Sequence, residues 1–128
     1  MHEKCKVLCV DDHADTCFMM KHLLGLSDYE VEVTDTIESA VELASERSFD
    51  LFILDRRFPD GAGVDLCVRL RSIAPETPIV FYTGDGYQLH RNEALDAGAD
   101  AYILKPQIEE LLETVNHLLV ERDCMPDE

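Results

Sequence analysis

Leu51-Phe52-Ile53-Leu54-Asp55 is a run of four apolar residues that meets one carboxylate, followed by Arg56-Arg57-Phe58-Pro59-Asp60-Gly61. A short continuous apolar run closed by turn residues predicts a strand buried on both faces. Such strands belong to parallel sheets covered by helices. An aspartate at the end of a buried strand stands at the carboxyl edge of the sheet, where open α/β sheets bind their ligands. Asp55 is therefore a candidate reactive carboxylate. The competing reading is an ordinary turn or helix-capping aspartate.

The same grammar repeats on either side. Residues 5–10 form a strand rich in Val and Cys that ends in Asp11-Asp12. Thr16, Met19, Met20, Leu23 and Leu24 then recur at helical spacing, with Gly25 as the expected stop. Residues 29–34 alternate apolar and acidic, which predicts a half-exposed edge strand. Asp35 or Thr36 can cap a second helix whose inner face is Ile37, Ala40, Val41 and Ala44. After the central strand comes a loop with Pro59, Gly61 and Gly63. A third helix, from about residue 64 to 73, turns Leu66, Cys67 and Leu70 inward. Residues 79–82 form the next strand and end at Thr83-Gly84-Asp85-Gly86. The fourth helix, near residues 87–97, carries a weaker stripe of Leu89, Ala94 and Leu95. Residues 101–104 are the last strand, followed by Lys105-Pro106. The fifth helix shows Ile108, Leu111, Leu112, Val115, Leu118 and Leu119 at helical spacing, and a polar tail occupies residues 121–128.

Five strands alternating with five helices predict a doubly wound parallel α/β sheet with right-handed crossovers. The 128 residues are expected to form one domain, residues 1–128 with a core of about 5–120. Apolar content of 46% suffices for a core without staples. Net charge is −16, from 27 acidic and 11 basic residues, which argues against direct nucleic-acid binding. No apolar run is long enough to span a membrane and no leader is evident, so a cytoplasmic protein is expected. Cys5, Cys9, Cys17, Cys67 and Cys124 are scattered, and a reduced set fits better than a disulfide framework. The five histidines show no metal-ligand spacing.

Asp11, Asp12, Asp55, Thr83 and Lys105 all follow apolar strands, so a parallel sheet brings them to one edge. Each alone has a dull account as a cap, a turn residue or a surface charge. Together they describe a pocket. Two unit charges about 4 Å apart at an effective dielectric near 20 repel by roughly 4 kcal/mol. Three carboxylates must be relieved by protons, by Lys105 or by a cation. An all-oxygen donor set suits Mg²⁺, and zinc is not expected because no Cys or His stands in the set. A carboxylate that attacks phosphorus gives an aspartyl phosphate. That chemistry needs positioning and positive charge, which Mg²⁺ and Lys105 supply.

The motifs VLCVDDH, LFILDRRFPDGAG, IVFYTG and ALDAGADAYILKP, in that order, resemble the receiver domain of two-component response regulators. The resemblance spans residues from about 5 to 120. It implies a flavodoxin-like (βα)5 sheet of order 2-1-3-4-5. It implies that Asp55 is the phospho-acceptor, that Asp11 and Asp12 hold Mg²⁺, and that the Arg57 carbonyl is a further ligand. Thr83 matches the switch hydroxyl, Tyr102 the switch aromatic, and Lys105 the lysine that pairs with the acceptor. The Lys105–Pro106 bond is expected to be cis. Arg56 and Arg57 depart from the family's apolar or small residues, and Arg57 is expected to lean over the pocket.

Under this resemblance a sensor histidine kinase or histidine phosphotransfer protein donates the phosphoryl group. Output then runs through the face made by the fourth helix, fifth strand and fifth helix, to a protein partner or a second copy. Two rivals stand beside it. An Mg²⁺-dependent phosphatase with an Asp nucleophile needs an acid two residues after Asp55, where Arg57 stands. A receiver-like module that binds without phosphorylation keeps the fold but not the need for Asp55.

Overall fold

The computed structural model describes residues 4–121. The polar tail expected at 121–128 lies outside them except for Glu121. The central strand forms as read, with the run Leu51–Leu54 fully buried and Asp55 just beyond its end. We label the strands β1 (Lys6–Val10), β2 (Glu30–Thr34), β3 (Leu51–Leu54), β4 (Arg57–Phe58), β5 (Gly61–Ala62), β6 (Ile79–Thr83) and β7 (Ala101–Leu104). The helices are α1 (Ala14–Leu26), α2 (Ile37–Glu46), α3 (Gly63–Ile73), α4 (Gln88–Asp96) and α5 (Ile108–Glu121).

One parallel sheet has the order β2-β1-β3-β6-β7. Setting aside the β4–β5 hairpin, this is the 2-1-3-4-5 order of a flavodoxin-like fold. Side chains alternate across each strand, and the sheet uses both faces. Leu8, Val10, Phe52, Leu54, Ile79 and Phe81 pack with Ile37 and Ala40 of α2, Leu66 and Leu70 of α3 and Ala94 of α4. Val7, Cys9, Leu51, Ile53, Val80 and Tyr82 pack with Met20 and Leu24 of α1 and Leu111, Val115 and Leu119 of α5. The central strands read as unbroken apolar runs because neither face meets water. Strand β2 sits at the edge and leaves Glu30 exposed, as its alternation predicts.

Several local readings differ. Gly25 does not stop α1, which runs on to Leu26. The turn is made instead by Asp28, the described non-glycine residue with positive φ, at 66°. Aspartate tolerates that region better than most side chains. The loop after Asp55 contains the small antiparallel hairpin of β4 and β5. Two-residue strands carry no periodicity to read. Thr36 caps α2 through Ser39 N–H, and Asp60 adds a cap from the hairpin by accepting from Ile37 and Glu38 N–H. On α4 only Ala94 of the expected stripe is buried, and Leu89 and Leu95 face outward. Cys9, Cys17 and Cys67 are free thiols, but Cys5 is disulfide-bonded, against the expectation of a reduced set. Cys124 lies outside the described residues.

Gly63 is where the fold and the acceptor loop constrain each other. Its N–H donates to the Arg56 carbonyl at 2.6 Å. A Cβ there would overlap the Asp55 carbonyl oxygen and press on Phe81. Backbone cannot give way cheaply, so overpacking of about 1–3 kcal/mol or more is expected. Gly63→Ala should lower the urea midpoint accordingly, and a variant as stable as wild type would show that the loop is loose rather than wedged.

Candidate functional site

The carboxyl ends of β1, β3, β6 and β7 converge, as a parallel sheet requires. Asp11 follows β1, and its N–H donates to the Thr34 carbonyl. Asp55 follows β3, and its N–H donates to the Val10 carbonyl. Thr83 ends β6. Lys105 follows β7, and its N–H donates to the Thr83 carbonyl. The main chain thus continues the sheet's ladder one residue past β1, β3 and β7 and fixes the side chains in space. The Lys105–Pro106 bond is cis, as the resemblance implies.

Asp11, Asp55 and Thr83 are buried, at 3%, 6% and 3% exposure. The Lys105 ammonium donates to Asp11 Oδ2 at 2.9 Å and to Asp55 Oδ2 at 3.2 Å. Burial works against the ammonium's charge. Its bonds to Asp11 and Asp55 and their negative field outweigh that loss and raise the Lys105 pKa above its ordinary 10.5. The other Asp55 oxygen, Oδ1, accepts the Arg56 N–H at 2.7 Å. Asp55, Thr83 and Lys105, with Asp12, His13, Arg57 and Gly84, line an open cavity of about 810 Å³. A Cβ at Gly84 would meet nothing within 4 Å, so the space over the acceptor does not depend on that glycine alone.

His13 is the site residue that sequence reasoning missed. Its Nδ1 lies 2.8 Å from Asp11 Oδ1, 3.3 Å from Asp12 Oδ1 and 3.6 Å from Asp55 Oδ2. The expectation that no histidine stands in the acidic set is therefore wrong. The bond to Asp11 is the main reason its pKa is raised above 6.5, against a smaller loss from burial. Asp11, Asp12, His13 and Asp55 offer donor atoms all within 4.8 Å of one another. Octahedral Mg²⁺ with ligands at about 2.1 Å needs opposite donors roughly 4.2 Å apart, so the set fits a small dication.

Above the pocket, Arg56 rather than Arg57 is the anchored arginine. Its Nε pairs with Asp85 Oδ2 at 3.1 Å, and His90 Nδ1 approaches the same oxygen at 2.7 Å. The Asp85 carboxyl is held below the usual carboxylate range, chiefly by the Tyr87 N–H, with His90 and Arg56 adding to it against some desolvation. Thr83 Oγ1 accepts the Asp85 N–H, and Tyr102 donates its hydroxyl to the Asp85 carbonyl at 2.6 Å. The Tyr102 ring is buried and stacks on Phe81. Arg57 is exposed on β4 and lines the cavity. Below the pocket, Cys17 Sγ donates to the Asp11 carbonyl at 3.2 Å and ties α1 to the loop.

The chain matches the family model described as the response regulator receiver domain over residues 7–116. It belongs to that family, and is thus the receiver domain of a two-component response regulator. Receiver domains are signalling domains and not classical enzymes. The chain is 33% identical, over 96% of its length, to Response regulator MprA of Mycobacterium leprae (strain TN), of which it covers 54%. It is 34% identical, over 79% of its length, to Response regulator protein PilR of Pseudomonas aeruginosa, of which it covers 23%. The chain spans about half the length or less of these curated relatives. Among solved structures it resembles the CheY-like receiver domain protein from Methanospirillum hungatei JF-1, with a TM-score of 0.90, 30% identity and coverage of 94% of this chain and 98% of that one. It also resembles chemotaxis protein CheY4 of Vibrio cholerae, with a TM-score of 0.85, 31% identity and coverage of 91% and 100%. No helix among the described residues is long and apolar enough to cross a membrane.

The lysine's position gives a pH signature. A folded pKa above the unfolded one contributes stability that is full below the unfolded value and is lost as pH rises through the folded value. Wild type should therefore lose stability above about pH 10.5 by a component absent from Lys105→Met. At neutral pH, without divalent ions, that variant should be less stable by on the order of 3 kcal/mol, because Asp11 and Asp55 lose their counter-charge. Urea melts at pH 7 and pH 11 check both. Equal stability at pH 7 would show that the ammonium is not holding the carboxylates.

Proposed function

We propose that this domain is a phosphorelay switch whose acceptor is Asp55. One observation carries the reading. A single ammonium spans two buried carboxylates, one of which, Asp55, ends the central strand and opens onto a cavity. The donor is a phosphohistidine of a sensor histidine kinase or histidine phosphotransfer protein. An Asp55 carboxylate oxygen forms the new P–O bond while the donor's P–N bond breaks, and the electron pair leaves on the imidazole. The product is an acyl phosphate.

Asp11, Asp12 and Asp55 would hold Mg²⁺, with the Arg57 carbonyl as a further ligand. When bound, the ion neutralises charge on the phosphoryl oxygens. The chain's own residues do the rest. Arg56 N–H orients Asp55 through Oδ1. Lys105, already shared by Asp11 and Asp55, follows the negative charge from carboxylate to phosphoryl group. The Thr83 hydroxyl accepts from Asp85 N–H and can donate at the same time to a phosphoryl oxygen.

That donation supplies the signal. Pulling Thr83 toward Asp55 moves the Asp85 backbone, to which Tyr102 is tied. The effect reaches the face of α4, β7 and α5. Tyr87, Leu89, Leu95 and Leu104 are exposed there, which supports a surface that binds a protein partner or a second copy. The acidic balance of the chain gives no support to direct nucleic-acid binding, and a cytoplasmic setting fits the proposed donor.

Incubation with a small phosphodonor and Mg²⁺ should add the mass of one phosphoryl group to wild type and none to Asp55→Asn. Thr83→Ala should still be modified but should lose the phosphorylation-dependent change in the Tyr102 resonances. Equal modification of wild type and Asp55→Asn would overturn the reading. Sustained turnover of small phosphate esters would favour a phosphatase.

A further inference from the structure

We propose that His13 is a fourth side-chain ligand of the cation held in this pocket, and that it shifts selectivity from Mg²⁺ toward later first-row dications such as Co²⁺. The inference deepens the reading above and rests on the pocket being a divalent-cation site. Its substance is a nitrogen donor in a set otherwise made of carboxylates.

Geometry carries it. Adjacent donors of an octahedron with ligand distances near 2.1 Å lie about 3.0 Å apart. Nδ1 of His13 stands 2.8, 3.3 and 3.6 Å from oxygens of Asp11, Asp12 and Asp55. One nitrogen thus neighbours three different carboxylates at the spacing of a coordination shell. The ring's contacts are with the acids rather than with the helix it begins. His13 is the N-cap of α1, yet its side chain makes no capping hydrogen bond. The His13 N–H donates to Asp11 Oδ1 at 2.9 Å, so the backbone itself holds the residue over the cluster.

Chemistry supplies the selectivity. Carboxylates are hard donors that suit Mg²⁺, whereas imidazole suits the later first-row metals. Three carboxylates and Lys105 already balance one dication, which leaves no charge role for an imidazolium. A neutral imidazole offers a metal one ring lone pair, and Nδ1 is the nitrogen that faces the acids.

The test uses the full chain and the metals alone. Calorimetric titrations with Mg²⁺ and with Co²⁺ are run on wild type, His13→Asn and His13→Ala. Asn is a favoured N-cap, so that variant keeps the start of α1. The Co²⁺-to-Mg²⁺ affinity ratio should fall at least about tenfold in both variants, the scale on which even outer-shell partners act. Mg²⁺ affinity should change little. Pulsed EPR of the Mn²⁺-loaded wild type should show imidazole nitrogen coupling that His13→Ala lacks. An unchanged ratio without nitrogen coupling, while Mg²⁺ still binds, overturns this inference and leaves the cation pocket standing. Failure of wild type to bind any divalent ion overturns both.

Discussion

A single ammonium shared between two buried carboxylates is the constraint on which the pocket depends. Asp11 and Asp55 are brought together by neighbouring strands, and nothing in a β-sheet would otherwise tolerate that pairing. Lys105 arrives from β7, and its bonds to both acids make the arrangement stable enough to persist. One positive charge does not neutralise two carboxylates, and Asp12 adds a third. The residual negative charge is what a dication answers. The same imbalance leaves Asp55 as a carboxylate facing open space rather than a spent ion-pair partner.

The fold exists to hold that geometry. Both faces of the sheet are sealed by apolar packing, so the strand ends cannot slide relative to one another. Asp11, Asp55 and Lys105 each extend the ladder by one backbone hydrogen bond beyond their strands. Gly63 lets the loop after Asp55 close against the acceptor's own carbonyl. On the other side, Arg56 reaches Asp85, and Tyr102 and Thr83 bind the same short segment. A change at Asp55 therefore meets a loop that is gripped at several points, through which a displacement passes outward instead of dissipating.

Most of this was legible in the sequence because it rests on short-range signals. Continuous apolar runs marked the buried strands, and the acids and lysine stood directly after them. Parallel topology then required those residues to share one edge. What stayed hidden depends on distance in space. His13 has no ligand spacing to betray it and joins the acids only through the turn between β1 and α1. Asp60 caps a helix 23 residues earlier in the chain. Arg56 and Arg57 look equivalent in sequence, yet one is anchored on Asp85, a residue distant in the chain, and the other is exposed on β4. The two-residue strands of the hairpin, and the turn at Asp28 rather than Gly25, are settled by local backbone geometry that composition does not encode.

The central claim concerns where a phosphoryl group becomes covalently attached, and reductive trapping tests it most directly. Borohydride converts an acyl phosphate on aspartate to homoserine, and peptide sequencing then locates it. After reaction with a phosphodonor and Mg²⁺, the account predicts homoserine at position 55 and nowhere else. Homoserine at position 11 or 12, or a phosphoryl group that resists borohydride because it sits on a histidine, would contradict it.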